Sequence, residues 1–317
     1  MASVSYSEAS SYLLCKRKHF YGYTRSLQRI TTSTSLALGS AGHKILETFY
    51  NVILAAGDTK AKQLAVWPAA LAAARVEHDL IMKDFVADER KATLEEMLFQ
   101  FYFPNEPLVK KGWLIQAVEM EFRLDVEVSE GVSIETPFVI DLIAVSPEGK
   151  TVVIDHKFVY NFYTVDGSQL QPQIPLYMAG LRGLGHKVDE GMYNMVRNMK
   201  IVGLKNKATP NGAGATLEQR LLQLPITPSA ARVVRTFEDQ IDTAIEIQAL
   251  KLLTLEEVDR KSHRVANEMV CKSCSFADLC KIELSGGNAA LVERAEFKVR
   301  ERRTFDVASV AVGDDEE

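Results

Sequence analysis

TPFVIDLIAV (136–145), SPEGK (146–150) and TVVIDHKF (151–158) decide the fold. The two apolar runs are rich in β-branched residues, and Pro147 and Gly149 between them suit a tight turn, so they read as an antiparallel strand pair. Upstream, VEMEFRLDVEV (118–128) alternates apolar and polar residues, as a half-buried strand does, and extends the pair to a three-strand meander. Charges inside strands this apolar are costly to bury unless paired or metal-bound, which singles out Asp141, Asp155 and Lys157. Side chains alternate along a strand, so Asp155 and Lys157 share one face while His156 points away. Two carboxylates and a lysine on adjacent strands make a compact site for a hard cation, Mg²⁺ or Mn²⁺, and the lysine can orient a water beside a phosphodiester.

Working outward, residues 5–20 read as a helix opened by a Ser5/Glu8 capping box. Residues 36–56 form a second, with Leu38, Ile45, Leu46, Phe49, Val52 and Ile53 near helical spacing. On it Gly39, His43 and Glu47 recur on one face, so that His43 can supply a nitrogen ligand and Gly39 a close approach. Residues 60–103 are helical, with Pro68 near a helix start, and end at Pro104 and Pro107. Residues 168–183 return to helix with Ser168 as cap, and Gln173 and Tyr177 share a face one turn apart. Residues 192–197 read as a strand, 203–215 as a mobile loop, 228–256 as helix and the GDDEE end as a disordered tail. The resulting fold class is α/β, a mixed central β-sheet flanked by helices. Its segments are an N-terminal helix (1–30), a first core helix (31–59), a helical insertion (60–112), the core sheet and helices (113–225), a C-terminal helix with cysteines (226–285), and a last helix and tail (286–317).

The chain holds four cysteines, Cys15, Cys271, Cys274 and Cys280. The last three form a C-x2-C-x5-C run whose thiolates can turn onto one metal centre. If the site needs four thiolates, the fourth is Cys15, and the site clips the two ends of the chain together, closing a long loop. The other reading is that Cys15 is a buried thiol and the trio binds zinc with a histidine such as His263. Thiolate count does not separate zinc from iron–sulfur.

Composition sets outer limits. A 47% hydrophobic content excludes a chain disordered throughout. A net charge of −5, from 37 Lys+Arg and 42 Asp+Glu, excludes a uniformly basic nucleic-acid coat protein but leaves room for a local basic groove. No apolar run approaches the ~18–20 residues of a membrane span. MASVSYSEAS lacks the order of a secretion signal, so the expected address is cytoplasmic. No Walker-type glycine-rich loop is present, so no ATP-driven helicase is expected.

Taken together and in order, SEASSYLLCKRKHFYGY (7–23), GSAGHKILE (39–47), VIDLIAV (139–145), VVIDHK (152–157), QIPLY (173–177) and CKSCSFADLC (271–280) make the chain similar to the PD-(D/E)xK nuclease superfamily. It most resembles the RecB-like branch with a four-cysteine iron–sulfur cluster: CRISPR-associated exonucleases, their phage relatives, and the nuclease domain of AddB-type helicase–nucleases. The resemblance implies a restriction-endonuclease-like core. His43, Asp141 and Asp155, with the backbone carbonyl of His156, would bind Mg²⁺ or Mn²⁺, and Lys157 would be the catalytic lysine. Gln173 and Tyr177 would lie near the DNA backbone, and Glu47 would support the metal ligands from behind. Cys15, Cys271, Cys274 and Cys280 would hold a structural 4Fe–4S cluster joining the N- and C-terminal segments. Two departures stand out. Asp155 occupies a position usually held by Glu, and Lys16 follows Cys15 where relatives often have proline.

The implied activity is hydrolysis of single-stranded DNA by an exonuclease of 5′ to 3′ polarity. One rival is a structure-specific endonuclease or CRISPR-adaptation trimming subunit with the same site. The other is a non-catalytic DNA-binding or assembly subunit with a vestigial site. Partners beyond DNA would be further copies of the chain or recombination or CRISPR-adaptation proteins. Lys16, Arg17, Arg182, Arg197 and Lys200 are the candidates for contacting phosphates, against the plainer reading of a solvated surface.

Overall fold

The structure is a computed structural model that describes residues 2–31, 33–83, 93–199, 217–265 and 267–300. The chain forms two compact units, Met1–Ser10 with Thr32–Leu252, and Ser11–Thr31 with Leu253–Glu317.

The larger unit is built on the meander. Strand Leu114–Ser129 pairs antiparallel along the length of Val132–Val145, and the last four residues of that strand pair antiparallel with Thr151–Val159. The turn expected at SPEGK forms, with Gly149 at φ +84° and the Ser146 hydroxyl accepting from the amides of Glu148 and Lys150. Thr151–Val159 then pairs parallel with Glu190–Arg197, which pairs antiparallel with Leu221–Ile226. Ala2–Ser3 adds a short parallel strand at Ile134 and Glu135, giving a mixed sheet of six strands.

Five successive residues of the central strand, Val152 to His156, are buried, because this strand is covered on both faces. Period-two alternation divides its apolar residues. Leu142, Ala144, Val152 and Ile154 pack with Leu38, Ile45, Phe49 and Ile53 of helix Thr34–Ala55. Ile143 and Val153 pack on the other face with Ile174, Tyr177 and Met178 of helix Gln173–Gly183. Each such fully buried aliphatic or aromatic side chain contributes about 1.5–3 kcal/mol. Ser33 caps the first helix by accepting from the Leu36 amide. Gly191 admits the second: a Cβ there would lie 2.1 Å from Ile174 Cγ2.

The helix expected at 168–183 is two. Val165–Leu170 is capped by Thr164, not Ser168, and Gln173–Gly183 follows an extended Gln171. The break has a steric cause, since Pro172 drives the residue before it out of the helical region. The expected 228–256 helix also divides, into Ala230–Lys251 and Leu255–Lys261, because Thr254 and Glu257 form a capping box that starts a new helix. Within the expected 60–103 region, the described helices are Lys60–Ala65, Trp67–Met82 with Pro68 in its first turn, and a π-helical Glu95–Tyr102. The expected loop at 203–215 and the acidic tail lie outside the described residues.

In the smaller unit, helix Lys16–His19 runs into a π-helical turn, Phe20–Thr24. Leu27–Arg29 pairs antiparallel with Phe297–Val299, so the expected last helix is helix Ala289–Glu296 followed by a strand. Helices Glu268–Lys272 and Ala277–Leu284 carry the cysteine run. Tyr21, Phe276, Leu279 and Phe297 are buried here.

Candidate functional site

The ladder between Val132–Val145 and Thr151–Val159 stops at Leu142 and Ile154. Just beyond, a side chain replaces the missing backbone partner: Asp141 Oδ2 accepts the His156 N–H at 2.7 Å. Asp155 and Lys157 share the face that alternation assigns them. Lys157 Nζ lies 3.1 Å from Asp155 Oδ1 and 2.8 Å from Oδ2, and the Oδ1 contact has hydrogen-bond geometry. The same ammonium donates to Gln173 Oε1 at 2.7 Å, and Gln173 Nε2 donates to the Tyr177 hydroxyl at 2.7 Å. Gln173 and Tyr177 therefore hold the lysine from the neighbouring helix.

Asp155 is 1% exposed, and burial pushes its carboxyl up to about 7 against the pull of Lys157. Burial raises Asp141 to about 6. Burial also depresses Lys157, but attraction and hydrogen bonding by Asp155, with help from Asp141, outweigh it and its pKa ends above the ordinary value. A buried and a part-buried carboxylate thus face one part-buried ammonium. That deficit of positive charge, in a set of oxygen donors, fits a divalent cation.

His43 approaches from helix Thr34–Ala55, its Nδ1 3.5 Å from Asp141 Oδ2. Burial lowers its pKa and favours the neutral imidazole, the form that ligates metals. The close approach beside it is made by Gly42, not Gly39: a Cβ at Gly42 would lie 2.2 Å from Phe158 Cζ, whereas one at Gly39 meets nothing within 4 Å. Glu47 pairs with Lys44 at 2.9 Å.

Among the described residues, the one group of three or more His, Cys, Asp or Glu ligand atoms within 4.8 Å of one another is His43, Glu119 and Asp141. Glu119 was not foreseen. Val118 pairs with Leu142 and Met120 with Ile140, so Glu119 stands across the hairpin from Asp141. Its φ of +46° is in the left-handed region, unusual for a non-glycine residue inside a strand and costing on the order of 1–3 kcal/mol.

The His156 ring points to the opposite face. It stacks on Tyr50, centroids 5.8 Å apart, and its Nδ1 is 2.9 Å from Asn194 Nδ2. Burial lowers His156 to about 3, so it is neutral, and the Asn194 amide donating to Nδ1 places its proton on Nε2. Asn194 also donates to Tyr102, whose hydroxyl lies 2.8 Å from that of Tyr50, and Tyr50 donates to buried Glu106 at 2.8 Å. This network fixes the ring of the residue whose amide holds Asp141.

In the smaller unit all four cysteines line one cavity of about 100 Å³. Cys15 is the N-cap residue of helix Lys16–His19, Cys271 lies in the last turn of Glu268–Lys272, a turn joins it to Cys274, and Cys280 lies in the helix that follows. Arg264 Nε donates to Cys280 Sγ at 3.1 Å, and Lys18 and Lys281 also line the cavity. Burial raises the Cys274 thiol. His263 does not line the cavity.

The expected phosphate contacts fare unequally. Arg17 is 7% exposed and its guanidinium is bound by Asp259, Glu283 and the Tyr21 hydroxyl, so its charge is engaged in an internal ion-pair network and not offered on an open surface. Lys16 lies over the Tyr12 ring at 4.7 Å. Arg182 donates to the Val188 carbonyl at 2.8 Å, Arg197 stacks on Phe162 at 4.3 Å, and Lys200 lies outside the described residues.

A family model described as the PD-(D/E)XK nuclease superfamily matches residues 3–281. No curated protein matches the chain. A solved structure described as "Crystal structure of SSO0001" is similar at 16% identity, covering 86% of this chain and 95% of that one with a TM-score of 0.28, so the two backbones superpose only weakly. No helix among the described residues is long and apolar enough to cross a membrane.

Proposed function

Because the chain belongs to the PD-(D/E)XK nuclease superfamily, we propose that it is a metal-dependent exonuclease acting on single-stranded DNA from the 5′ end, with a structural 4Fe–4S cluster on Cys15, Cys271, Cys274 and Cys280. The observation that carries the hydrolytic reading is Lys157, whose ammonium is held at once by Asp155 and Gln173 beside Asp141 and His43. Members of this family use Mg²⁺ or Mn²⁺. His43, Asp141, Asp155 and the carbonyl of His156 would hold the ion, which supplies positive charge against the phosphate and acidifies water.

The chain's own groups do the rest. Lys157, with its pKa raised, works as a protonated donor: it orients the attacking water and hydrogen-bonds a phosphate oxygen as negative charge grows there. Asp155 and Gln173 spare it a search through rotamers, and Tyr177 orients Gln173. The His156 amide keeps Asp141 aimed along the open end of the ladder.

Substrate and polarity rest on the resemblance of the ordered segments to the RecB-like iron–sulfur branch. The cluster reading is supported as well by the lining of one cavity by all four cysteines. Mn²⁺-loaded protein should release short products from the 5′ end of linear single strands and leave circular single strands intact. Cut circles would contradict exonucleolytic action. Anaerobically purified protein should carry about four irons per chain, and stoichiometric zinc without iron would contradict the cluster.

A further inference from the structure

We infer that Glu119 is a ligand of the catalytic cation, alongside His43 and Asp141, an inference that rests on the nuclease reading of this site. Three observations converge on it. The ligand atoms of His43, Glu119 and Asp141 lie within 4.8 Å of one another, close enough for one ion to touch all three. The hairpin register brings this about, because position 119 stands across from Asp141 and cross-strand side chains are near neighbours. The backbone at Glu119 adopts a left-handed φ of +46° in mid-strand, a conformation that glycine takes without penalty and glutamate does not. A strained glutamate kept beside the metal-binding imidazole is the kind of local cost that a site exacts from a fold.

The assignment divides the work among the acids. Asp155 is occupied by the Lys157 ammonium, so its first task is to place the lysine. Asp141 is bound on one side by the His156 amide and faces His43 on the other. Glu119 adds a carboxylate on the His43 side of the ion, where Asp155 is not part of the close group.

The experiment is calorimetric titration of metal-free protein with Mn²⁺, joined to melting curves with and without Mn²⁺. Glu119→Gln keeps the shape and hydrogen-bonding capacity of the side chain and removes its charge. It should weaken Mn²⁺ by about tenfold or more, while Glu121→Gln on the same strand, where the carboxylate pairs with Arg123, should bind as wild type does. Glu119→Gly should melt no lower than wild type without metal, since glycine relieves the backbone, yet should lose the rise in melting temperature that Mn²⁺ brings. A residue serving only the fold would behave in the opposite way. Wild-type Mn²⁺ affinity in both Glu119 variants, with Asp141→Asn abolishing binding, would overturn the role of Glu119 and leave the nuclease site standing. Absence of Mn²⁺ binding in wild-type protein would overturn both.

Discussion

The two candidate centres are built in opposite ways. In the larger unit, Asp141, Asp155, Lys157 and Gln173 come from one stretch of chain and are tied to one another by hydrogen bonds before any ion arrives. In the smaller unit, four thiols gathered from the two ends of the chain line a cavity, and Arg264 donates to the Cys280 sulfur. The difference teaches which centre can be emptied. The first is organised by the protein, so its ion supplies chemistry more than structure. On the proposed cluster reading, the second is organised by the group that joins the sulfurs, which would supply structure more than chemistry.

The sharpest way to break this contrast is Cys15→Ser. It should cost the smaller unit stability on the order of several kcal/mol, read as loss of iron and rapid proteolysis of 253–300, whereas chelating the divalent ion should remove only the smaller rise in melting temperature that its binding brings. A Cys15→Ser protein that melts as wild type does would erase the distinction. Next in size is Arg17→Met. Its guanidinium is buried against Asp259 and Glu283, one of them half exposed, so the loss should be about 3 kcal/mol. DNA affinity and its salt dependence should stay as they are, and a weakened salt slope would return Arg17 to the phosphate contacts.

A pH titration sharpens the other side. Asp155 is 3.8 as a free group and about 7 in the folded, metal-free protein, so the folded state holds its proton over that interval. Stability from this group is therefore full below about pH 4 and is lost as pH rises toward 7. Between pH 5 and 8, metal-free wild type should lose on the order of 2 kcal/mol more than Asp155→Asn does. Equal slopes in chemical denaturation would show that burial does not hold the Asp155 carboxyl above its ordinary range. The smallest effect is Tyr50→Phe, which removes one donor from buried Glu106 and should cost about 1 kcal/mol with a modest fall in cleavage. Unchanged stability and unchanged cleavage would mean that the network behind His156 positions nothing.

The meander and its charges were legible because period-two alternation and a Pro/Gly turn are local signals. His43 was legible by its helical spacing, and structure and sequence agree on the Asp155–Lys157 face. Glu119 was not, for a physical reason. In VEMEF it looks like the solvent-facing half of an alternating strand, and the irregularity between Glu127 and Ser129 that fixes its register against Asp141 has no signature in residue type. Gly39 and Gly42 are equally glycine in the sequence, and Phe158 alone distinguishes them. Arg17 sits in a basic run that suggests a groove, while its partners Asp259 and Glu283 lie more than two hundred residues away. The chain Asn194, Tyr102, Tyr50, Glu106 is equally scattered, and nothing short of the fold assembles it.

The central claim is that the part-buried ammonium of Lys157 does chemistry in a cation site and is not one more internal ion pair. Single-turnover cleavage of end-labelled linear single-stranded DNA by Mn²⁺-loaded Lys157→Ala, run beside wild type, addresses it most directly. The expected result is a loss of about a thousandfold in rate with Mn²⁺ and DNA still bound. Cleavage by the alanine variant at the wild-type rate would contradict it.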